Sequence, residues 1–202
     1  MNIAPYVPGK SGIKGTKAVI KLSSNETPLG TSSKALKAIK NSDDNPARYP
    51  DGGSIDLRKA LAEYNSLNMN NIICGNGSDE ILSMFANCFA GEGDEIVYSE
   101  HGFLVYPIAT KAAGATPVVA KEKKYKADVE EIINVCSSKT KVCFIANPNN
   151  PTGTYLTKNE LITLRKKLPK NCLLVIDSAY AEYVEKDDYT NGFELVDKFN
   201  NV

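Results

Sequence analysis

Residues 141–180 read KVCFIANPNNPTGTYLTKNELITLRKKLPKNCLLVIDSAY. Lys141 to Ala146 is a continuous apolar-rich run, a strand, broken by Asn147-Pro148-Asn149-Asn150-Pro151-Thr152-Gly153. Thr157-Lys158-Asn159-Glu160 is a capping box, in which hydroxyl and carboxylate each accept an orphan N–H, so a helix is expected from there to Leu168. Cys172 to Ile176 is apolar at every position and delivers Asp177 at its carboxyl end, with Tyr180 three residues on. Strands that are continuously rather than alternately apolar are covered on both faces, and a helix between two of them makes the pair parallel.

The same alternation extends toward the N-terminus. Ile72-Ile73-Cys74 is a short apolar run ended by Gly75, and a helix from Ser78 to Ala90 follows with Ile81, Leu82, Phe85, Cys88 and Phe89 at helical spacing. Glu95 to Ser99 reads as strand, Phe103 to Ala113 as helix, Thr116 to Ala120 as strand and Asp128 to Val135 as helix. The expected fold class is α/β, three layers with helices on both faces of a mainly parallel sheet. Ahead of it, Ser32 to Asn41 predicts a short helix, Asp43 to Gly53 is rich in turn signals, and Ser54 is an expected N-cap for a helix through Tyr64. Residues 1–30 show no sustained period and read as an N-terminal arm, leaving 31–202 for the sheet and its helices.

The chain has 202 residues, 42% hydrophobic and 24% charged, with 24 Lys+Arg against 24 Asp+Glu, which is the composition of a globular protein with a core. A zero net charge removes the electrostatic footprint of a nucleic-acid binder, so an anionic ligand must be held locally. No run approaches the roughly 18 apolar residues of a membrane span, and Pro5, Pro8 and Gly9 interrupt any leader-like start, so no membrane partner and a cytoplasmic location are expected. Cys74, Cys88, Cys136, Cys143 and Cys172 are odd in number and contain no C-x-x-C pair, and they read as free thiols acting as small buried hydrophobes. One histidine, His101, leaves little material for a zinc site or a nucleophile-histidine triad, and no metal is expected.

In open parallel sheets ligands bind outside the carboxyl ends of the strands. The first strand end supplies Gly75-Asn76-Gly77-Ser78-Asp79-Glu80, a glycine turn opening a helix, suited to an anion or to a plain tight turn. Glu80 stands where the dinucleotide fingerprint needs its third glycine, which argues against a nicotinamide-dependent oxidoreductase. The second end is the asparagine loop, stiffened by two prolines and a glycine. The third is Asp177; an apolar strand ending in Asp is also the Walker B pattern, but Gly9-Lys10-Ser11 lacks the leading glycine and the preceding strand of a P-loop.

An anion cradle, an asparagine loop and a strand-end carboxylate in this order resemble the fold-type I pyridoxal-phosphate enzymes, specifically their aminotransferases, with N-P-x-N-P-T-G and D-x-A-Y as the specific signals. The resemblance implies an aspartate-aminotransferase-like large domain binding pyridoxal 5'-phosphate. By that resemblance Asp177 pairs with the pyridine nitrogen and keeps the ring an electron sink. Asn150 and Tyr180 bond the phenolate oxygen, the backbone of the Gly77-Ser78-Asp79 turn holds the phosphate, and Phe103 stacks on the ring. Ala4 to Lys10, Leu22 to Pro28 and Arg48 to Gly52 narrow the resemblance to the histidinol-phosphate aminotransferase family. This implies that Tyr6, Asn25 and Glu26 line the substrate site, and that Tyr49 reaches across a homodimer interface to the partner's cofactor.

The implied reaction exchanges an amino group between the glutamate/2-oxoglutarate and histidinol phosphate/imidazole acetol phosphate pairs, in histidine biosynthesis. An aromatic-amino-acid aminotransferase or a threonine-phosphate decarboxylase shares the cofactor motifs and stays open, as does a non-catalytic truncated remnant or interaction protein. The family's Schiff-base lysine sits in a Ser-Lys pair followed by glycines, and no segment of these residues matches it. It is expected beyond Val202, with the C-terminal small domain, so residues 31–202 read as an incomplete large domain that is inactive alone.

Overall fold

The computed structural model describes residues 3, 5, 9, 10, 12, 14, 15, 19–42 and 47–202. The chain forms helices α1 (Ser33–Lys40), α2 (Ile55–Asn65) and α3 (Gly77–Phe89), then strand β1 (Glu95–Ser99), helix α4 (Val105–Ala112) and strand β2 (Thr116–Ala120). A small hairpin, β3 (Glu122–Lys123) and β4 (Lys126–Ala127), leads to α5 (Val129–Val135), β5 (Thr140–Ala146), α6 (Lys158–Lys167), β6 (Leu173–Asp177) and α7 (Phe193–Lys198). Four strands pair in the order β2-β1-β5-β6, all parallel. Pro117, which cannot donate to a ladder, lies in the edge strand β2.

Alternate residues of the central strands feed two separate cores. Val97, Cys143, Ile145 and Leu174 pack with Ile132, Leu161, Leu164 and Leu195 beneath α5, α6 and α7. Ile96, Tyr98, Val142, Phe144 and Val175 pack with Leu82, Ala86, Val105, Tyr106 and Ala109 beneath α3 and α4. Helices cover both faces of the central strands, which is why their inner stretches, Ile96–Tyr98, Val142–Ala146 and Leu173–Ile176, are continuously apolar. None of the described helices is long and apolar enough to cross a membrane.

Several local expectations need correction. Ile72 to Cys74 forms no ladder; Ile73 is largely exposed, and an extended segment becomes a strand only where a neighbour accepts its hydrogen bonds. Ser54 does not cap α2 with its side chain; Asp51 does so from outside the helix, accepting the N–H groups of Gly53 and Ile55. Those bonds hold the Asp51 carboxyl below its ordinary value. In α3 the buried pair is Leu82 and Ala86, while Cys88 and Phe89 face outward and Ile81 and Phe85 border an open groove beside β6. The helix expected from Phe103 begins at Val105, with Phe103 in the preceding turn. The capping box at Thr157 and Glu160 is present in both directions.

Arg165 is a buried cation among carbonyls. Its guanidinium donates to the carbonyl oxygens of Cys172, Asn201, Leu168 and Pro169, tying the end of α6 to the start of β6, where Leu174 N–H also donates to Asn201 O. Arg165→Leu leaves those carbonyls without their donor, and is expected to destabilise the chain by about 2 kcal/mol in urea unfolding. A loss within the noise of surface substitutions would show that the carbonyls find other donors.

The five cysteines divide by exposure. Cys143 and Cys172 are fully buried, and burial raises both thiols, that of Cys172 to about 12. Cys88 is exposed, contrary to the buried reading of all five. Alkylation of the native chain is expected to modify Cys88 first and Cys143 and Cys172 only after denaturant is added, with mass spectrometry of peptides as the check.

Candidate active site

The strand order places β2 on one side of β1 and β5 on the other, so the connections leaving β1 and β5 diverge at their carboxyl ends. Such a switch point opens a crevice. A cavity of about 570 Å³ lies there, lined by the β1–α4 turn (Glu100 to Leu104), the β5–α6 loop (Pro148, Asn150, Pro151), Asp177, Tyr180, Ser78 and Asn25.

The asparagine loop is built from inside. Asn147, wholly buried, clamps the loop's far end: its amide donates to Leu156 O and its oxygen accepts Leu156 N–H at 2.7 Å. Asn149 exchanges backbone bonds with Thr154 and Gly153, and its amide donates to His101 O and Thr152 Oγ1. Gly153 sits at φ 70°, which favours glycine at the loop's exit. Two asparagines are therefore spent on holding the loop. Asn150 alone turns to the cavity, its amide unengaged by any protein group among the described residues.

Asp177 ends β6 half-buried, and burial pushes its carboxyl above the ordinary aspartate value, with the charge of Asp79 adding to the rise. Two donors work the other way: Tyr106 Oη–H donates to Oδ2 at 3.0 Å, and Ala179 N–H to Oδ1 at 3.2 Å. At the start of α3, Gly77 has φ 78°, and Glu80 folds back to accept both the backbone and side-chain N–H of Asn76. Gly77 N–H donates to Gly75 O, but Asn76 makes no side-chain cap, so the N–H groups of Ser78 and Asp79 lack that usual acceptor, and the turn meets the cavity at Ser78. Asn25, in the left-handed region at φ 51°, donates its amide to Tyr180 Oη at 2.9 Å across 155 positions of sequence.

Of the residues singled out in the sequence, Asn25, Ser78, Phe103, Asn150, Asp177 and Tyr180 share the cavity. Gly77 borders the adjoining groove beside Asp177, and Glu26, ion-paired to Lys21, lines a contiguous hollow with Asn25, Asn150 and Tyr180. Asp79 reaches Asp177 only through its charge. Tyr49 is fully exposed and lines none of these hollows, and Tyr6 lies outside the described residues. Tyr106 was missed. It reads as a helix core residue, and only its offset of three from Phe103 hints that the two rings share one face. No group of three or more His, Cys, Asp or Glu side chains among the described residues is arranged to hold a metal ion.

Comparison with known proteins agrees with this geometry. Residues 17–200 match the family model for aminotransferase class I and II. The histidinol-phosphate aminotransferase of Paramagnetospirillum magneticum (strain ATCC 700264 / AMB-1) is 50% identical over 202 residues, covering 100% of this chain and 56% of the relative, and that of Rhodospirillum centenum (strain ATCC 51521 / SW) is 48% identical over the same span. The chain thus spans about half the length of the curated relatives it matches. The crystal structure of histidinol-phosphate aminotransferase from Sinorhizobium meliloti in complex with pyridoxal-5'-phosphate superposes with a TM-score of 0.78 at 26% identity, covering 83% of this chain and 46% of that one. The enzyme of the same name from Clostridium acetobutylicum gives 0.75 at 27% identity, covering 86% and 51%. A parallel sheet with this switch point, the loop and carboxylate at the ends of β5 and β6 beside the start of α3, and this match along almost the whole sequence make the chain a member of the aminotransferase class I and II family.

Proposed function

We propose that the chain binds pyridoxal 5'-phosphate in the switch-point cavity and forms the cofactor-binding portion of a histidinol-phosphate aminotransferase. The supporting observation is the convergence of a half-buried carboxyl, a helix start without a side-chain cap, an unengaged amide and a phenol on one cavity. That donor set fits a flat, phosphorylated, nitrogen-containing ring. Asp177 would hold the ring nitrogen, Asn150 and Tyr180 its phenolate oxygen, the N–H groups of Ser78 and Asp79, in the turn opened by Gly77, its phosphate, and Phe103 one ring face. When bound, the cofactor supplies an electron sink for charge developing at an amino acid's α-carbon.

The chain's own residues then orient the ring. Burial keeps Asp177 dry enough for its charge to act strongly, Tyr106 fixes the rotamer of the carboxyl, and the clamp at Asn147 fixes the loop that presents Asn150. Asn25, bonded to Tyr180, and Glu26 in the adjoining hollow would receive the substrate, with Tyr6 as a third contact from the arm. We assign residues 1–30 to an arm and 31–202 to part of the large domain, with the attachment lysine and a small domain contributed by a complete enzyme. The complete protein is proposed as a cytoplasmic homodimer in which the exposed Tyr49 serves the partner's cofactor phosphate.

The test is a titration of the chain with pyridoxal 5'-phosphate, followed by absorbance and protein fluorescence. Saturable binding is expected, with pyridoxal, which lacks the phosphate, at least about tenfold weaker. Equal affinity for the two, or no saturation, would remove the cofactor assignment. For substrate, the complete enzyme should prefer histidinol phosphate to phenylalanine as amino donor; the reverse preference would favour an aromatic aminotransferase.

A further inference from the structure

The sole histidine of the chain stands in this cavity, and a nearly buried carboxylate orients it. Glu122, whose side chain is 2% exposed, accepts two bonds from His101: the backbone N–H at Oε1 and ring Nδ1 at Oε2, each 3.0 Å. The carbonyl of His101 accepts from Asn149, and the edge of Tyr125 meets the imidazole at 5.1 Å. Hairpin strand β3, the β1–α4 turn and the asparagine loop are thus tied at one residue. With Nδ1–H committed to Glu122, the tautomer is fixed, and Nε2 on the opposite ring edge has no partner among the described residues.

The charge inventory of the cavity says what Nε2 is for. Among the described residues its lining holds Glu100 and Asp177 but no lysine or arginine, so His101 is the one described lining side chain able to carry positive charge. We infer that His101 is an oxyanion-binding residue of the cofactor and substrate cavity, donating from Nε2 to a phosphate or carboxylate of the ligand, with Glu122 as its positioning residue. An imidazolium between two anions satisfies both ring nitrogens and neutralises a carboxylate that is otherwise sealed from water. The proton comes from solvent as the anion enters, and no covalent bond changes. The titratable groups facing the imidazole are Glu122 and Tyr125 from the hairpin, Glu100 from its own turn, and Asp177 and Tyr180 across the cavity; the asparagine loop contributes none.

This inference rests on the proposed cofactor reading, and one experiment separates the two. Because the chain has one histidine, selective ¹⁵N labelling of imidazole gives one pair of ring signals. In the free chain the neutral ring is expected as the Nδ1–H tautomer held by Glu122, and Glu122→Gln should mix the tautomers. On saturation with pyridoxal 5'-phosphate, followed in parallel by absorbance, Nε2 should convert to the protonated type, and His101→Asn should weaken binding about tenfold or more. Pyridoxal, inorganic phosphate and 2-oxoglutarate, used as separate probes, identify which oxyanion is recognised. An absorbance change with pyridoxal 5'-phosphate, while Nε2 stays unmoved by it, by inorganic phosphate and by 2-oxoglutarate, overturns the inference and leaves the cofactor reading standing. Movement of Nε2 with 2-oxoglutarate or phosphate, but no response of any kind to pyridoxal 5'-phosphate, removes the cofactor reading and supports the oxyanion site. An Nε2 that moves with none of the four probes overturns the inference.

Discussion

Asp177→Asn is expected to weaken pyridoxal 5'-phosphate binding about tenfold to a hundredfold, to lower turnover of a complete enzyme about 10²–10³-fold, and yet to stabilise the ligand-free chain at neutral pH. The two directions share one cause. Burial raises the Asp177 carboxyl, so at neutral pH the folded chain carries a charge that the unfolded chain solvates better. For a carboxyl raised on folding, the native state holds its proton longer. Stability therefore falls as pH rises from the ordinary aspartate value of 3.8 through the raised native one, and stays reduced above it. The amide abolishes that loss while keeping both local contacts, because it can accept from Ala179 N–H and donate to Tyr106 Oη. Thermal melting of wild type and variant between pH 4 and pH 8 should show curves that separate as pH rises, with the variant the more stable at pH 8. Equal curves at every pH would mean that Asp177 is solvated enough to cost nothing. A charge kept in a cavity at the expense of stability is the usual signature of a functional group.

Much of this arrangement was legible in the sequence because it depends on local chemistry. The asparagine loop, the capping box at Thr157 and Glu160, and the continuous apolar runs ending in Asp177 each carry their cause within a few residues. Ile72 to Cys74 failed as a strand because pairing is a property of neighbours, and its apolar content says nothing of whether one lies beside it. Ser54 failed as a cap because it sits in the left-handed region at φ 47° rather than the extended conformation of an N-cap, while Asp51, just ahead of it, accepts the N–H groups of Gly53 and Ile55. The hairpin of β3 and β4 has only two residues in each strand, too short for any periodicity to register. It nevertheless carries Glu122 to His101, 21 positions away. Tyr106 escaped for a related reason: an aromatic at a buried helical position reads as core, and the partner that gives its hydroxyl a purpose lies 71 residues later.

Tyr106 is where packing and electrostatics can be separated by substitution. The ring is wholly buried, stacked on Phe144 at 5.0 Å with an interplanar angle of 11°, and set edge-on to Phe103 at 6.0 Å. Tyr106→Ala empties that position and is expected to cost about 3–5 kcal/mol, enough to threaten folding. Tyr106→Phe keeps the ring and removes only the donor to Asp177 Oδ2, which burial of the phenol and the charge of Asp177 hold protonated throughout the working range. A bond to an ionised acceptor contributes about 1.5–3 kcal/mol, against 0.5–1.5 for a neutral one. The phenylalanine variant should thus lose about 1.5–3 kcal/mol at pH 8, and less near pH 4, where a protonated Asp177 no longer needs the donor. Its carboxyl should rise further, because the bond from Tyr106 is the first of the effects that lower it. In an Asp177→Asn background the same substitution should cost only the neutral amount, making the two positions strongly coupled in a double-mutant cycle. A Tyr106→Phe penalty independent of pH and unchanged in that background would assign the hydroxyl to packing alone. The coupled result would instead make the phenol the device that lets a half-buried carboxylate remain ionised at the mouth of the cavity.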